Sequence, residues 1–148
     1  MNHSRLNIKQ VYPDAYKALN HWDGVVHASP FSAWYRELIK IRASQINGCA
    51  FCVHYHISEA LAIQADPVKI HLISVWPEAA NVFDEKEQIL LKLTEEITYI
   101  HRSGLSDILY QKAIELFGIE HTAHIIMTIT LINAWNRIGV SLKLNPEL

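Results

Sequence analysis

The stretch Glu37-Leu-Ile-Lys-Ile-Arg-Ala-Ser-Gln-Ile-Asn-Gly-Cys49-Ala-Phe-Cys52-Val-His-Tyr-His56 sets both the architecture and the chemistry of this chain. Its first half runs without a helix breaker until Asn47-Gly48, which stops it. A second helix restarts at Cys49 and continues to about Ala65. In a helix, residues three apart lie roughly 60° apart at about 100° per residue. Cys49 and Cys52, the chain's two cysteines, therefore share nearly one face. His56 falls between them in angle, and Ala60 and Ile63 extend the stripe, so this face points inward. His54 projects to the far side.

Away from this stretch, helical punctuation recurs. Pro13 suits the first turn of a helix through Ala15, Leu19 and Trp22. Ser29-Pro30 reads as a cap followed by an N1 proline, opening a helix to about Ile46. Asp66-Pro67 repeats the signal for a short helix to about Val75, ended by Trp76-Pro77. Asp84-Glu85-Lys86-Glu87 resembles a capping box, with Glu87 at N3. Ile89, Leu90, Leu93, Ile97 and Ile100 follow at helical spacing until Ser103-Gly104. A helix from Ser106 or Asp107 ends at Gly118, and a last one runs from about Glu120 past Trp135. That last helix is apolar around much of its circumference, as suits one covered by several neighbours or by a partner subunit. No two-residue alternation bounded by turns predicts a strand. The expectation is an all-α domain of about seven helices.

The 148 residues are enough for one domain with a proper core, read as 1–148 with its centre at about 30–140. Half of them are apolar or aromatic and 19% are charged, a globular balance. The formal net charge of −2 argues against a nucleic-acid footprint. The segment Met1-Asn2-His3-Ser4-Arg5-Leu6 has no apolar leader region, and the strongest apolar run, Ile125 to Ile132, is far short of the ~18 residues a membrane span needs. A cytoplasmic protein is expected, and there two cysteines are more often catalytic or metal-binding than structural.

Cys49 sits at a helix start, where unpaired N–H groups and the dipole favour a thiolate. At i and i+3, a modest adjustment brings the two sulfurs into a disulfide. His56 and Glu37 supply a proton carrier and a carboxylate for thiol redox chemistry. Glu37 lies between an apolar side (Trp34, Leu38, Ile41) and a basic side (Arg36, Lys40), so it reads as a solvated surface residue or as a half-buried carboxylate. Two inert buried thiols are a plainer reading. A zinc site wants about four ligands, and no second CxxC pair is present. Covalent haem attachment wants a histidine where Val53 stands. His121 and His124 read as surface or interface residues, His101 as an answer to a helix dipole, and Asn133, Asn136 and Arg137 as buried polar or subunit contacts.

The E-x₁₁-C-x₂-C-x₃-H spacing of Glu37, Cys49, Cys52 and His56 resembles the core of the AhpD-like alkylhydroperoxidases of the carboxymuconolactone decarboxylase superfamily. The likeness extends through Phe83-Asp-Glu-Lys-Glu-Gln and Asn133-Ala-Trp-Asn136-Arg137, and spans about Pro30 to Val140. The resemblance implies an AhpD-like helical fold and an antioxidant oxidoreductase that reduces hydroperoxides. It also implies no bound cofactor or metal, a thiol or dithiol reductant system, and a homotrimer or homohexamer. In that picture Cys52 attacks the peroxide, Cys49 resolves the sulfenic acid to a disulfide, and Glu37 and His56 relay protons. The helix-start argument by itself points to Cys49 as the more acidic and more exposed thiol, and leaves the attacking sulfur open. Some members carry a further histidine between the cysteines, where this chain has Ala50-Phe51. Two other classes compete. One is decarboxylation of a carboxymuconolactone by acid–base groups, which does not need two thiols. The other is a non-enzymatic redox- or metal-sensing module.

Overall fold

The computed structural model describes residues 5–146; Met1–Ser4, part of the segment read as lacking a leader, and Glu147–Leu148 lie outside the described residues. The described chain is helical, and no strand occurs in it. Its α-helical elements are α1 Ile8–Val11, α2 Pro13–Ala28, α3 Ala33–Asn47, α4 Ala50–Ala62, α5 Pro67–Leu72, α6 Glu85–Thr98, α7 Ile100–Ser103 and α8 Asp107–Ser141, with a 3₁₀ segment Ile73–Val82 between α5 and α6. The all-α expectation holds, with two four-residue turns, α1 and α7, beyond the elements the sequence announced.

The central element is α3. It packs against α4, α6 and α8, and every residue from Arg36 to Ile41 is buried. Leu38, Ile39 and Ile41 meet Leu90, Leu91 and Leu93 of α6 and Ile125, Ile129 and Ile132 of α8 in one continuous core. Each such side chain contributes about 1.5–3 kcal/mol when fully removed from water. The 3.6-residue repeat on α6 and α8 aims those residues at α3, and α3 itself is enclosed on all sides.

Burial on all sides means that the charged residues of α3 are inside too, and each has a partner, as a buried charge requires. Arg36 donates from Nη1 to the carbonyls of Phe31 and Ser29. Lys40 donates to Asp23 of α2 at 3.2 Å. Glu37 is paired with His56, described below. The basic side assigned to α3 from the sequence is thus not a solvated face.

Helix α6 starts in a full capping box: Glu87 N donates to Asp84 Oδ1 at 2.9 Å, and Asp84 N donates to Glu87 Oε2 at 2.8 Å. The same Glu87 carboxylate accepts from Lys69 Nζ and from the Trp34 indole, both at 2.7 Å. Glu95, two turns later, accepts from Arg42 Nε and from the Trp76 indole. Two carboxylates on one helix so anchor two tryptophans.

Several boundaries differ from the sequence reading. Helix α3 starts at Ala33 with Ser32 as its cap, because Ser29 ends α2 and its Oγ accepts from Phe31 N instead. Helix α5 gives way after Leu72 to a 3₁₀ segment in which Val75 (φ −123°) and Ala79 (φ −117°) are not helical, so the helical path does break beside Trp76-Pro77. Helix α6 stops at Thr98, before Ser103-Gly104. Ile63 caps α4 and is 44% exposed, so the inward stripe ends at Ala60.

Gly118 divides α8, as the sequence indicated, with φ 76° and ψ 169°. That region is open essentially to glycine alone. Nothing lies within 4 Å of where its Cβ would be, so backbone conformation is the sole obstacle to a side chain. Gly118→Ala is expected to destabilise the protein by about 1–3 kcal/mol, read as a lower urea midpoint at unchanged slope. A midpoint at or above wild type would show that the break in α8 does not need glycine.

Candidate active site

Helix α3 ends at Asn47, and Gly48 adopts the left-handed conformation (φ 67°) that turns the chain directly into α4. This tight reversal sets α3 and α4 side by side. It leaves Cys49 as the residue capping α4, where its Sγ accepts from Cys52 N at 3.3 Å. The i, i+3 spacing does what the sequence suggested: Cys49 and Cys52 form a disulfide, with Cα atoms 5.3 Å apart. Both residues are buried, Cys49 at 2% exposure and Cys52 at 5%. Cys49 is therefore not the more exposed of the two, because α8 covers the end of the helix where it sits.

His56, one turn beyond Cys52, is neighbour to it on the same helix face. Its Nδ1 lies 2.8 Å from Glu37 Oε2, and both side chains are about 10% exposed. The carboxylate of α3 so fixes the ring of α4: Nδ1–H points at Glu37, and Nε2 carries no hydrogen bond among the described residues. Glu37 is more deeply buried than the sequence implied. It lies neither on a solvated face nor half out of the core.

Cys52 and His56 both line a cleft of 570 Å³. Its walls are largely apolar and aromatic, with Phe51, Tyr55, Tyr16, Trp135 and Ile138 prominent, and Asn20 and Asp23 add a polar edge. Leu6 to Lys9 and Leu142 close it from the two ends of the chain, held together where Arg5 N donates to the Leu142 carbonyl. The Tyr55 phenol on this wall is held above its usual value of 10.0, first by burial and then by Glu59, Asp23 and Glu37, so it stays neutral across the physiological range.

A polar network locks the base of the site. Asn47 Nδ2 donates to Asn133 Oδ1 and Asn136 Oδ1, Asn136 Nδ2 donates to Ser44 Oγ at 2.9 Å, and Asn133 Nδ2 donates to Thr98 Oγ1. It ties the last turn of α3, just before the Gly48 reversal, to α6 and α8. Asn133 and Asn136 are thus the buried polar contacts anticipated for them. His121 and His124 are half-buried neighbours with rings 5.8 Å apart, and His124 meets Ser29 Oγ at 3.1 Å. His54 is exposed and away from the cleft. No group of three or more His, Cys, Asp or Glu suited to a metal occurs among the described residues.

Gly139, one turn beyond Asn136 on α8, carries no mark in the sequence beyond being a glycine inside a helix. A Cβ there would stand 2.8 Å from Cys49 Sγ and 3.4 Å from Cys52 Sγ. The α8 backbone therefore rests directly on the disulfide, and glycine is what lets it do so. In an exposed helix, Gly→Ala would gain about 1 kcal/mol of helix propensity. Here overpacking costs about 1–3 kcal/mol. Gly139→Ala is expected to lower the denaturation midpoint of the oxidised protein; a raised midpoint would mean that α8 is not seated on the sulfurs.

The chain matches the model of the carboxymuconolactone decarboxylase family over residues 13–96, which contain Glu37, Cys49, Cys52 and His56. It is 32% identical over 138 residues to the uncharacterised protein YdfG of Bacillus subtilis strain 168, covering 93% of each chain. Among solved structures it is similar to a protein of unknown function from Agrobacterium tumefaciens provisionally designated the antioxidant defence protein AhpD. That match has a TM-score of 0.94 and 34% identity, and covers 98% of this chain and 99% of the other. An uncharacterised peroxidase-related protein from Silicibacter sp. TM1040 shares the fold, with a TM-score of 0.80 and 18% identity over 90% of this chain and 71% of the other. By sequence model, close relative and fold, the chain belongs to the carboxymuconolactone decarboxylase family, on its AhpD-like side.

Proposed function

We propose that this protein is a thiol-dependent peroxidase that reduces organic hydroperoxides with its Cys49–Cys52 pair. The observation that carries the reading is one arrangement: a CxxC disulfide opens on an apolar cleft beside a histidine whose second nitrogen is held by a buried carboxylate. The similarity to a protein provisionally placed in antioxidant defence supports it. The cleft volume falls in the range of small-molecule sites, and its aromatic walls favour a substrate with an apolar body.

In this reading the dithiol is the resting reductant. His56 Nε2 takes the proton of Cys52, and the thiolate attacks one peroxide oxygen. The O–O bond breaks, the leaving alkoxide takes a proton back from His56, and Cys52 becomes a sulfenic acid. Cys49 then attacks the Cys52 sulfur, the S–O bond breaks, hydroxide leaves and is protonated to water, and the disulfide forms. An external dithiol restores the pair. Cys52 takes the attacking role because it shares the cleft with His56, whereas Cys49 is stabilised as a thiolate by the Cys52 N–H but lies outside that cleft. Glu37 holds the His56 tautomer that leaves Nε2 free to carry the proton. No bound cofactor takes part in this scheme. A trimer or hexamer belongs to this reading on the family resemblance.

Two measurements test this. Glu37→Gln and His56→Ala are expected to slow oxidation of the dithiol by a hydroperoxide by about 10²-fold, the lower end for a lost general acid or base. Oxidation at the wild-type rate in both folded variants would remove the proton relay.

Decarboxylation of a carboxymuconolactone is the second reading, favoured by the family match and by the acid–base pair Glu37–His56. Cys52→Ser separates the two. It is expected to abolish peroxide turnover with a dithiol reductant while leaving the fold intact, since serine forms no disulfide. Full lactone decarboxylation by that variant, with no peroxide turnover by wild type, would install the decarboxylase instead.

A further inference from the structure

Helix α8 ends in a Schellman motif built on Gly139. Leu144 N donates to the Gly139 carbonyl at 3.0 Å and Lys143 N to the Val140 carbonyl at 3.2 Å, with Lys143 in the left-handed conformation (φ 54°). A lysine rarely adopts that conformation, so the two bonds define the turn. The turn sets Leu142 and Leu144 into the wall of the cleft beside Ile138. It also presents the carbonyls that hold the other end of the chain. Leu142 O accepts from Arg5 N and Ser141 O from Arg5 Nη1, each at 3.1 Å. These bonds tie down a strap, Leu6 to Lys9, that lines the same cleft. The α1 turn that begins in this strap has no buried residue, so its seat does not come from the core.

Two contacts meet at Gly139. Its carbonyl anchors the closing turn. Its Cα rests on the disulfide, where a Cβ would stand 2.8 Å from Cys49 Sγ and 3.4 Å from Cys52 Sγ.

We propose that Gly139 couples the oxidation state of the cysteine pair to closure of the cleft. With the disulfide formed, α8 seats on the sulfurs and the strap is tied down. Reduction lifts the end of α8 and frees the strap, so the cleft over Cys52 and His56 is wider in the dithiol form than in the disulfide form.

The physical cause is volume. An external dithiol gives up two electrons and two protons, the S–S bond breaks, and two S–H groups replace it. Bonded sulfurs stand far inside van der Waals contact; two thiols stand at it, and each carries a hydrogen. Cys49 is 2% exposed and Cys52 5%, so the added volume falls on packed neighbours. The α8 backbone at Gly139 is a neighbour that both sulfurs share. Displacing it moves the acceptor for Leu144 N, and with it Ser141 and Leu142, the acceptors for Arg5. Packed elements pass such a shift on rather than absorb it. That the widened cleft admits a hydroperoxide rests on the peroxidase reading; the coupling itself rests on these contacts.

The test is amide hydrogen exchange, followed residue by residue by NMR on the whole chain, oxidised with diamide or reduced with dithiothreitol. Exchange at Arg5 and Leu144 is expected to be about tenfold faster in the reduced protein, while Leu38, Ile39 and Leu90 in the core stay within about twofold. Cys49→Ala/Cys52→Ala has neither the bond nor the sulfurs. Its Arg5 and Leu144 amides are expected to exchange as slowly as in the oxidised protein, because the cause is crowding and not loss of the cross-link. Gly139→Ala, whose methyl crowds the sulfurs in either state, is expected to exchange fast at both amides in both forms. Equal exchange in oxidised and reduced wild type would overturn the coupling. So would a double-alanine variant as fast as reduced wild type, or slow exchange in oxidised Gly139→Ala. If cumene hydroperoxide leaves the reduced protein unoxidised, the peroxidase reading fails, while the exchange rates still decide the coupling.

Discussion

A carboxylate enclosed by packed helices has to be answered by a donor, and the site is organised around how Glu37 is answered. Leaving a buried charge without its partner typically costs 3–5 kcal/mol, a large share of what holds a domain of this size together. Glu37 finds its partner on the neighbouring helix, in His56. The pair fixes how α3 and α4 lie against each other, because the carboxylate and the ring must meet at 2.8 Å. It also orients a histidine on the cysteine face of α4. A requirement of packing and a requirement of chemistry are met by one contact.

The other constraint is space around the sulfurs. The reversal at Gly48 delivers Cys49 directly from α3 to the start of α4. The Asn47, Asn133 and Asn136 network then pins that turn to α8. One turn along, Gly139 lets the α8 backbone close over both sulfurs. The disulfide is therefore buried beneath α8. This explains how a pair at the start of a helix, a place that usually exposes its residues, comes to be shielded from solvent.

The two cysteines line different cavities. Cys52 lines the aromatic cleft with the histidine, and Cys49 lines a separate depression beside the α3–α4 turn. The two cysteines, three residues apart, so differ in their surroundings.

Much of this was legible in the chain itself. The proline and aspartate signals at Pro13, Asp66-Pro67 and Asp84, and the glycines at 48 and 118, mark helix ends by local backbone chemistry, which needs no tertiary context. For the same reason the cysteine pair and His56 could be placed on one face from spacing alone. Helix α3 was harder to read. Arg36, Glu37 and Lys40 look like a solvated stripe in sequence, and only the enclosure of α3 by α4, α6 and α8 turns them inward to their partners. The start of α3 was misplaced because Ser29 closes one helix and leaves the next to Ser32, a choice made by where α2 ends. Gly139 was invisible, since its meaning is a distance to sulfurs ninety residues away. Local geometry fixes the breaks at Gly48 and Gly118, the caps at Asp66 and Asp84 and the spacing of the two cysteines, so the sequence alone determined those. Which side chains are buried, which charges must pair, and which cysteine lines which cavity depend on how the helices pack, so only the tertiary structure decided them.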